Sequence, residues 1–324
     1  MPKLKDKVQT ALDEARMLIL GSQVLLGFQF RSAFEGGFEK LPHYAQYLKL
    51  GGLGLMIIAV GLLMTPGAYH QITEEGEDTE GVHSLTTVIM DAALLPFALG
   101  LGIDAFVAAE KVINTAAGIF AGILTCLFAL FFWYGLEAVR RSERGPAIEE
   151  KKAMDGHKTD TDSEASKLKD KIKHVLTEAR VVLPGAQALL GFQFATILME
   201  GFEKLPESSK YIHLGSLGMV GISIVFLMTP AAYHRIVERG QESEHFHRFS
   251  GQMLISAMVP LALGISGDFF VVARKVTESE VFALACAAAF ILLFYGLWFG
   301  MTLYSKTRRE ARSQALGRQE PRAA

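Results

Sequence analysis

The chain repeats its pattern of long apolar segments after an offset of 164 residues, and this duplication constrains the fold more than any other feature. Residues 4–30 and 168–194 align without a gap and are identical at 16 of 27 positions. The same offset maps the sequence FEKLP at 38–42 onto FEKLP at 202–206. A period this long is typical of a duplicated domain rather than of a solenoid. We therefore expect two copies of one domain.

The apolar segments have the length of membrane spans. Half of the residues are hydrophobic and 20% are charged, so the mean hydropathy of +0.28 averages long apolar runs with strongly charged connectors. A helix needs about 20 apolar residues to cross about 30 Å of hydrocarbon, and a helix satisfies its own backbone hydrogen bonds in lipid. We predict an all-α integral membrane protein with eight transmembrane helices. Their predicted bounds are 11–34, 44–65, 83–109 and 115–139 in the first copy and 175–198, 211–229, 247–273 and 280–303 in the second.

An even number of spans per copy inserts both copies the same way up, as two parallel, same-orientation four-helix repeats. Basic residues concentrate in the N-terminal segment, in the connector between the copies and in the tail, and the positive-inside rule places these three in the cytoplasm. We predict a multi-pass protein with both termini cytoplasmic. The predicted domains are a four-helix repeat at 1–141, a charged flexible cytoplasmic linker at 142–166, a second four-helix repeat at 167–306 and a disordered cytoplasmic tail at 307–324.

Polar residues inside the predicted spans are candidates for an ion or proton pathway, because an intramembrane carboxylate is costly and is usually functional. Asp91 lies about eight residues into the third span, but its equivalent is Ile255, so a site built on Asp91 would be asymmetric. A hydrogen-bonded structural role for Asp91 is the alternative. The candidates for a cation or proton pathway are Asp91, Glu14, Glu178, Gln29 and Gln193.

Asp104 and Asp268 do match across the copies, near the outer ends of the third spans. A carboxylate is less costly there than at the membrane centre. A structural helix-end role is therefore at least as good an interpretation of these two residues as a functional one.

Histidine and glutamate residues cluster around the ends of the second and third spans. If the second span continues for one more turn, His70 and Glu74 share a helix face, as do His234 and Glu238. Imidazole and carboxylate groups suit a divalent metal ion, a haem between two histidines or a proton relay. Simple anchoring of the helix ends at the membrane surface is a further interpretation. The candidates for a metal site or proton relay are His70, Glu74, His83, His234, Glu238 and His247.

Several functional classes find no support in the sequence. A formal net charge of −2 gives no case for a nucleic-acid partner. There is no glycine-rich phosphate loop, nucleophile elbow or metalloprotease motif, so we predict that the chain is not an enzyme. Cys126 and Cys286 both lie in apolar runs and are interpreted as small core residues. The expected partners are the lipid bilayer and small cations or protons, and a homo-oligomer is left open.

The motifs LLGFQF at 189–194, FEKLP at 202–206 and PAAYHR at 230–235 resemble those of a family of small bacterial four-span membrane proteins of unknown function, often labelled sodium:proton antiporters. The first copy matches with Gly67 for Ala and Gln71 for Arg. The resemblance covers both copies and implies a tandem fusion of two normally separate units, paired as in a homodimer, in the bacterial inner membrane. It favours a cation- or proton-coupled transporter. A metal- or haem-binding module and a structural or regulatory membrane protein are the alternatives.

Overall fold

The computed structural model describes residues 4–135, 177, 182–236 and 243–317, and every regular element within these ranges is a helix. The first repeat contains α1 (Leu4–Ser32), α2 (His43–Ile72), α3 (Glu80–Val112) and α4 (Thr115–Leu130), which continues as a π-helical turn over Phe131–Gly135. The second repeat contains α5 (Val182–Ile197), the single turn α6 (Glu200–Glu203), α7 (Glu207–Ile236), α8 (Glu244–Thr277) and α9 (Glu280–Tyr295). A π-helical segment, Gly296–Met301, joins α9 to α10 (Thr302–Gly317).

Six helices in the described part of the chain are long and apolar enough to cross a membrane. They are His43–Ile72, Glu80–Val112, Thr115–Tyr134, Glu207–Ala231, Glu244–Thr277 and Glu280–Ala311. The helix α5 is apolar but shorter, and α1 carries charged residues through its first half. The all-helical fold is therefore confirmed for the described residues, and six of the eight predicted spans have the length and composition to cross a membrane.

Polar caps fix where four of the helices begin. A side-chain oxygen at the N-cap accepts a hydrogen bond from the backbone amide three residues later, which satisfies one of the free amides of the first turn. These caps are Thr79 before α3, Asn114 before α4, Ser243 before α8 and Ser279 before α9. The sequence therefore sets the starts of the third and fourth helices of both repeats through local chemistry.

The tail differs from its prediction. We expected disorder over 307–324, but α10 continues as a helix to Gly317. Lys306 donates to the carboxylate of Glu75 at 2.8 Å, and Arg309 pairs with the buried carboxylate of Glu74. These pairs hold the basic helix against the acidic α2–α3 loop of the first repeat. The predicted linker at 142–166 lies outside the described residues.

The two repeats pack tightly around α2, which contacts α8, α9 and α10. The fully buried indole of Trp298 donates from Nε1 to the carbonyl oxygen of Gly61 at 2.8 Å and stacks on Phe294. Near the α1–α2 loop, Gly201 of α6 lies very close to the backbone of Phe34. A Cβ atom added at Gly201 would sit 2.5 Å from the carbonyl oxygen of Phe34. Small residues thus allow close helix contact, as is usual between membrane helices.

The repeats do not pair as the homodimer-like unit that the resemblance implied. Phe30 and Phe34 are buried against the second repeat, whereas their equivalents Phe194 and Leu198 are exposed. A two-fold pair would bury both members of each equivalent pair to a similar extent. The first repeat therefore contacts the second through a face that the second repeat leaves uncovered.

Acidification is expected to weaken the contact between the repeats. In the α1–α2 loop, a hydrogen bond from Lys204 and the nearby charge of Lys275 hold the pKa of the Glu39 carboxyl below its ordinary value of 4.5, although burial opposes them. Because the folded-state pKa is lowered, this stabilisation is fully present above about pH 4.5 and is lost as the pH falls through the lowered pKa.

We expect the thermal unfolding midpoint in detergent to fall less steeply below about pH 4.5 in Glu39→Gln than in the unmodified protein. The difference should be small and should shrink in high salt, because the pair lies at the surface. Identical acid-side profiles for the two proteins at low salt would contradict this assignment.

Candidate functional site

Each repeat encloses an aspartate of its third helix between a glutamine and a basic residue. In the second repeat, Gln193 on α5 donates from Nε2 to Oδ2 of Asp268 at 2.6 Å. His213 on α7 places Nδ1 3.1 Å from Oδ1 of the same carboxylate. All three side chains are almost completely buried. A carboxylate in such a place needs both partners, because an unpaired buried charge is strongly unfavourable.

The first repeat builds the same arrangement with lysine in place of histidine. Gln29 donates to Oδ2 of Asp104 at 2.6 Å, and Lys49 donates to Oδ1 at 2.6 Å. Each of these residues lies 164 positions before its counterpart, so the geometry occurs once in each repeat. The first site is more open, with the side chains of Lys49 and Asp104 16% and 29% exposed, against 0% and 5% for His213 and Asp268.

Both ring nitrogens of His213 face hydrogen-bond acceptors. Nδ1 faces the carboxylate of Asp268, and Nε2 lies 3.1 Å from the backbone carbonyl oxygen of Gln193. A neutral imidazole carries only one N–H group, so it cannot donate to both. Both contacts become hydrogen bonds when the pair holds one additional proton, carried either by the imidazole or by the carboxyl group. The site therefore presents one more acceptor oxygen to the ring than a neutral imidazole has N–H groups.

The imidazole lies at the contact between the repeats. Its ring is nearly parallel to that of Phe30, at 5.6 Å and 17°, and meets the ring of Phe202 edge-on at 5.1 Å. A cavity of about 10 Å³ next to Asp268, lined otherwise by apolar side chains such as Leu26 and Ile265, has room for about one water molecule. The surroundings therefore admit a proton, or a single water that carries it, more readily than a hydrated metal ion.

The structure places the predicted pathway residues in different locations. Gln29 and Gln193 lie at the two aspartates, as described above. Asp91 lies 13 residues before Asp104, about 20 Å away along α3, where the Tyr134 hydroxyl donates to its backbone carbonyl. Glu14 is exposed on α1. Glu178 is outside the described residues.

Sequence reasoning missed the two basic partners, Lys49 and His213. Both were detectable, because they occupy equivalent positions about six residues into the second helix of each repeat and are the ionisable residues most deeply placed there. For Asp104 and Asp268, the sequence makes a structural helix-end role at least as good an interpretation as a functional one. The structure places Asp104 eight residues and Asp268 nine residues before the end of its helix, within the glutamine–base arrangement.

The described members of the predicted histidine and glutamate clusters each contact a different partner. The helix α2 ends at Ile72, so the helical face expected for His70 and Glu74 stops before Glu74, whose carboxylate pairs with Arg309. The buried His70 has Nε2 3.9 Å from Asp78 Oδ1. His247 has Nε2 3.4 Å from the carbonyl oxygen of Glu75.

His83 is half-buried near the start of α3, and the side chain of His234 and the whole of Glu238 lie outside the described part of the chain. Among the residues that the structure does describe, no three histidine, cysteine, aspartate or glutamate side chains are grouped closely enough to hold a metal ion.

Residues 3–137 and residues 161–302 each match the model of DUF6328, a family of unknown function. The chain belongs to this family. The two matched segments coincide with the two repeats, so the chain is a tandem pair of family units. Each unit contains its own glutamine, base and aspartate. The match carries no support for the sodium:proton antiporter label. No curated protein and no solved structure matches the chain.

Proposed function

We propose that this protein is a proton-coupled membrane transporter and that the His213–Asp268 pair binds the coupled proton. The observation that supports this most directly is the position of both His213 ring nitrogens against acceptor oxygens inside a membrane-spanning bundle. Ionisable residues in such segments are costly and commonly serve proton relays, and histidine is the side chain that exchanges protons near neutral pH. Proton transport requires no reactive group beyond the His213–Asp268 pair, whereas catalysis would require one.

Loss of the proton would change the packing between the repeats. The deprotonated pair leaves one ring nitrogen facing an oxygen without a hydrogen atom between them, and a buried polar contact of this kind is unfavourable by about 1–3 kcal/mol. Because the ring is held between Phe30 of the first repeat and Phe202 of the second, rotation of the imidazole would disturb the contact between the repeats. Protonation would in this way be coupled to a movement of one repeat relative to the other.

The first repeat would serve as the fixed counterpart. A lysine ammonium remains charged near neutral pH, so the Lys49–Asp104 pair keeps its ion pair while the His213–Asp268 pair titrates. The exchanged species would be a small cation, for which the half-buried intramembrane carboxylate of Asp91 is a suitable ligand. The duplication thus provides one static and one titrating copy of the same arrangement.

The transporter would have eight spans in two parallel halves within the bacterial inner membrane, with both termini cytoplasmic. The first helices of the two repeats support the parallel arrangement. Gly27 lies against Phe192, and Gln23 lies against Gly185, so contacting residues are nearly equivalent in the two repeats. Contacts at matching positions are expected when two related helices run side by side in the same direction.

Proton flux through sealed proteoliposomes tests the proposed role of His213. A pH-sensitive dye inside the vesicles reports proton movement as gradients of sodium, potassium or divalent cations are imposed. We expect cation-dependent flux in the unmodified protein. In His213→Lys, which reproduces the chemistry of the first repeat, we expect the flux to fall roughly 100-fold, as is common when a positioned proton-transfer group is removed.

Lys49→His is the matched control, because it makes the reciprocal exchange in the first repeat, and it should retain flux. Asp268→Asn provides a second loss-of-proton variant in case His213→Lys does not fold. Folding of each variant is checked by its elution as a single species in detergent. Absence of flux with every cation in folded protein, or full flux in both His213→Lys and Asp268→Asn, would refute the proposal.

A further inference from the structure

We infer that the chain assembles head-to-tail with further copies of itself, through the same contact that joins its two repeats. Two faces form that contact. The α1–α2 face is the surface of the first repeat that includes Phe30, Phe34, Glu39, Leu50 and Gly61. The α8–α9 face is the surface of the second repeat around α8 and α9. It includes Lys275 and Phe294 on these helices, Gly201 and Lys204 from the neighbouring turn α6 and the residue after it, and Trp298 from the π-helical segment after α9. Each repeat carries a version of both faces, and the chain uses only one version of each.

The unused version of the α1–α2 face lies on the second repeat and is uncovered. Phe34 is 0% exposed, whereas its equivalent Leu198 is 87% exposed. Leu50 is 6% exposed, whereas Leu214 is 57% exposed. Phe30 and Phe194 show the same contrast, at 2% and 55%. All six of these side chains are apolar, so the difference in their exposed fractions does not come from a change to polar residues. It arises because the first repeat has a neighbour on this face and the second repeat does not.

The charges that join the two faces also recur in unused form. Glu39 accepts from Lys204 at 2.6 Å and lies 3.4 Å from Lys275, which also donates to the carbonyl oxygen of Ala33. The equivalents of these three charged residues are Glu203, Lys40 and Lys111. All three are exposed. The uncovered α1–α2 face therefore carries the acid, and the uncovered α8–α9 face carries both bases.

The side-chain volumes at the centre of the contact change together between its two versions. In the contact that the chain forms, glycine at 61 meets the ring of Phe294, to which an added Cβ would approach within 2.7 Å. In the unused versions the corresponding residues are Val225 and Leu130. A small residue opposite a large one is thus replaced by two residues of intermediate size. This is the pattern expected if the unused faces also pack against each other.

The unused α1–α2 face lies on the second repeat and the unused α8–α9 face on the first, so neither belongs to the contact through which the two repeats already meet. A contact between two non-equivalent faces continues to the next copy until it closes a ring. Lipid can cover the apolar parts of either face and water can solvate Glu203 and Lys40, while Lys111 donates to the carbonyl oxygen of Gly37 in its own repeat. Neither lipid nor water combines an apolar surface with charges opposite to these. A second copy of the chain provides both the apolar surface and the opposite charges.

Directional crosslinking tests the assembly. Cys126→Ala and Cys286→Ala provide a background without thiols. We expect Glu203→Cys combined with Lys111→Cys to give, with a short bis-maleimide in native-like lipid nanodiscs or membranes, a ladder of two or more chains on a denaturing gel. The matched control, Glu39→Cys combined with Lys275→Cys, places the same residue types in the contact within one chain and should give only intramolecular product.

Single-cysteine proteins establish the direction of the contact. Glu203→Cys alone and Lys111→Cys alone should each remain monomeric on the gel, whereas the two proteins co-expressed should give a crosslinked pair. In addition, Glu203→Lys in the chain without crosslinking cysteines should reduce the number of chains per nanodisc particle, and the combined Glu203→Lys/Lys111→Glu should restore it. A ladder from Glu203→Cys alone would indicate a two-fold contact and overturn the inference. A single chain per particle together with no ladder would also overturn it.

Discussion

Replacing His213 with alanine is expected to destabilise the protein more than any other single substitution at the paired aspartates. The change removes a fully buried ring packed against Phe30 and Phe202 and leaves the carboxylate of Asp268 without its basic partner. Removing one member of a buried ion pair usually lowers the free energy of unfolding by about 3–5 kcal/mol. Because protonation of Asp268 can relieve part of that penalty, we expect a loss of about 3 kcal/mol.

The measurement is the unfolding midpoint in mixed micelles of increasing denaturing-detergent content. Lys49→Ala is the matched control in the first repeat, and its effect should be smaller because the Lys49–Asp104 pair is partly exposed. The double variant His213→Ala/Asp268→Ala should be less destabilised than His213→Ala, because it no longer leaves a carboxylate unpaired. If the double variant were the less stable of the two, the carboxylate would not be the source of the loss.

Replacing Trp298 with alanine is expected to weaken the contact between the repeats to a similar extent. The indole is fully buried, stacks on Phe294 at 4.7 Å and donates to the carbonyl oxygen of Gly61. Truncation of a buried aromatic residue usually costs about 3–5 kcal/mol, much of it through the cavity that remains. We expect about 3 kcal/mol, because between membrane helices the loss is mainly of packing and of the hydrogen bond rather than of burial from water.

Trp133→Ala is the matched control for this prediction. Trp133 is half-buried beside Phe97 in the first repeat, and its removal leaves the contact between the repeats unchanged. Since Trp133 and Trp298 are the only tryptophans in the sequence, each variant also leaves a single indole whose fluorescence follows unfolding. Equal midpoints for the two variants would show that Trp298 has no special role in joining the repeats.

Much of the architecture could be predicted from the sequence because the signals are local. Apolar runs of about 20 residues require helices in lipid, and the caps at Thr79, Asn114, Ser243 and Ser279 set helix starts without tertiary contacts. The helix over 307–317, which lies in the predicted disordered tail at 307–324, was missed for the opposite reason. The helix α10 pairs through Arg309 with Glu74, a residue 235 positions earlier in the chain, and no local pattern contains that partner.

The candidate site was only half predictable. Gln29 and Gln193 were recognised as polar residues in otherwise apolar helices, and Asp104 and Asp268 as a matched pair. The contacts of these glutamines and aspartates with Lys49 and His213 depend on the angles at which three helices cross. Helical periodicity in the sequence does not predict those angles.

The sequence by itself determined that this protein is a duplicated helical protein whose long apolar helices can cross a membrane, because composition, helix length and the 164-residue offset are properties of the chain alone. Only the tertiary structure decided which copy of each face is buried. Phe34 and Leu198 are both apolar and occupy equivalent positions, yet one is enclosed and the other exposed. The physical reason is that, although α1 and α5 meet at nearly equivalent positions, the rest of the contact joins non-equivalent faces, so similar local chemistry meets different neighbours in the two halves.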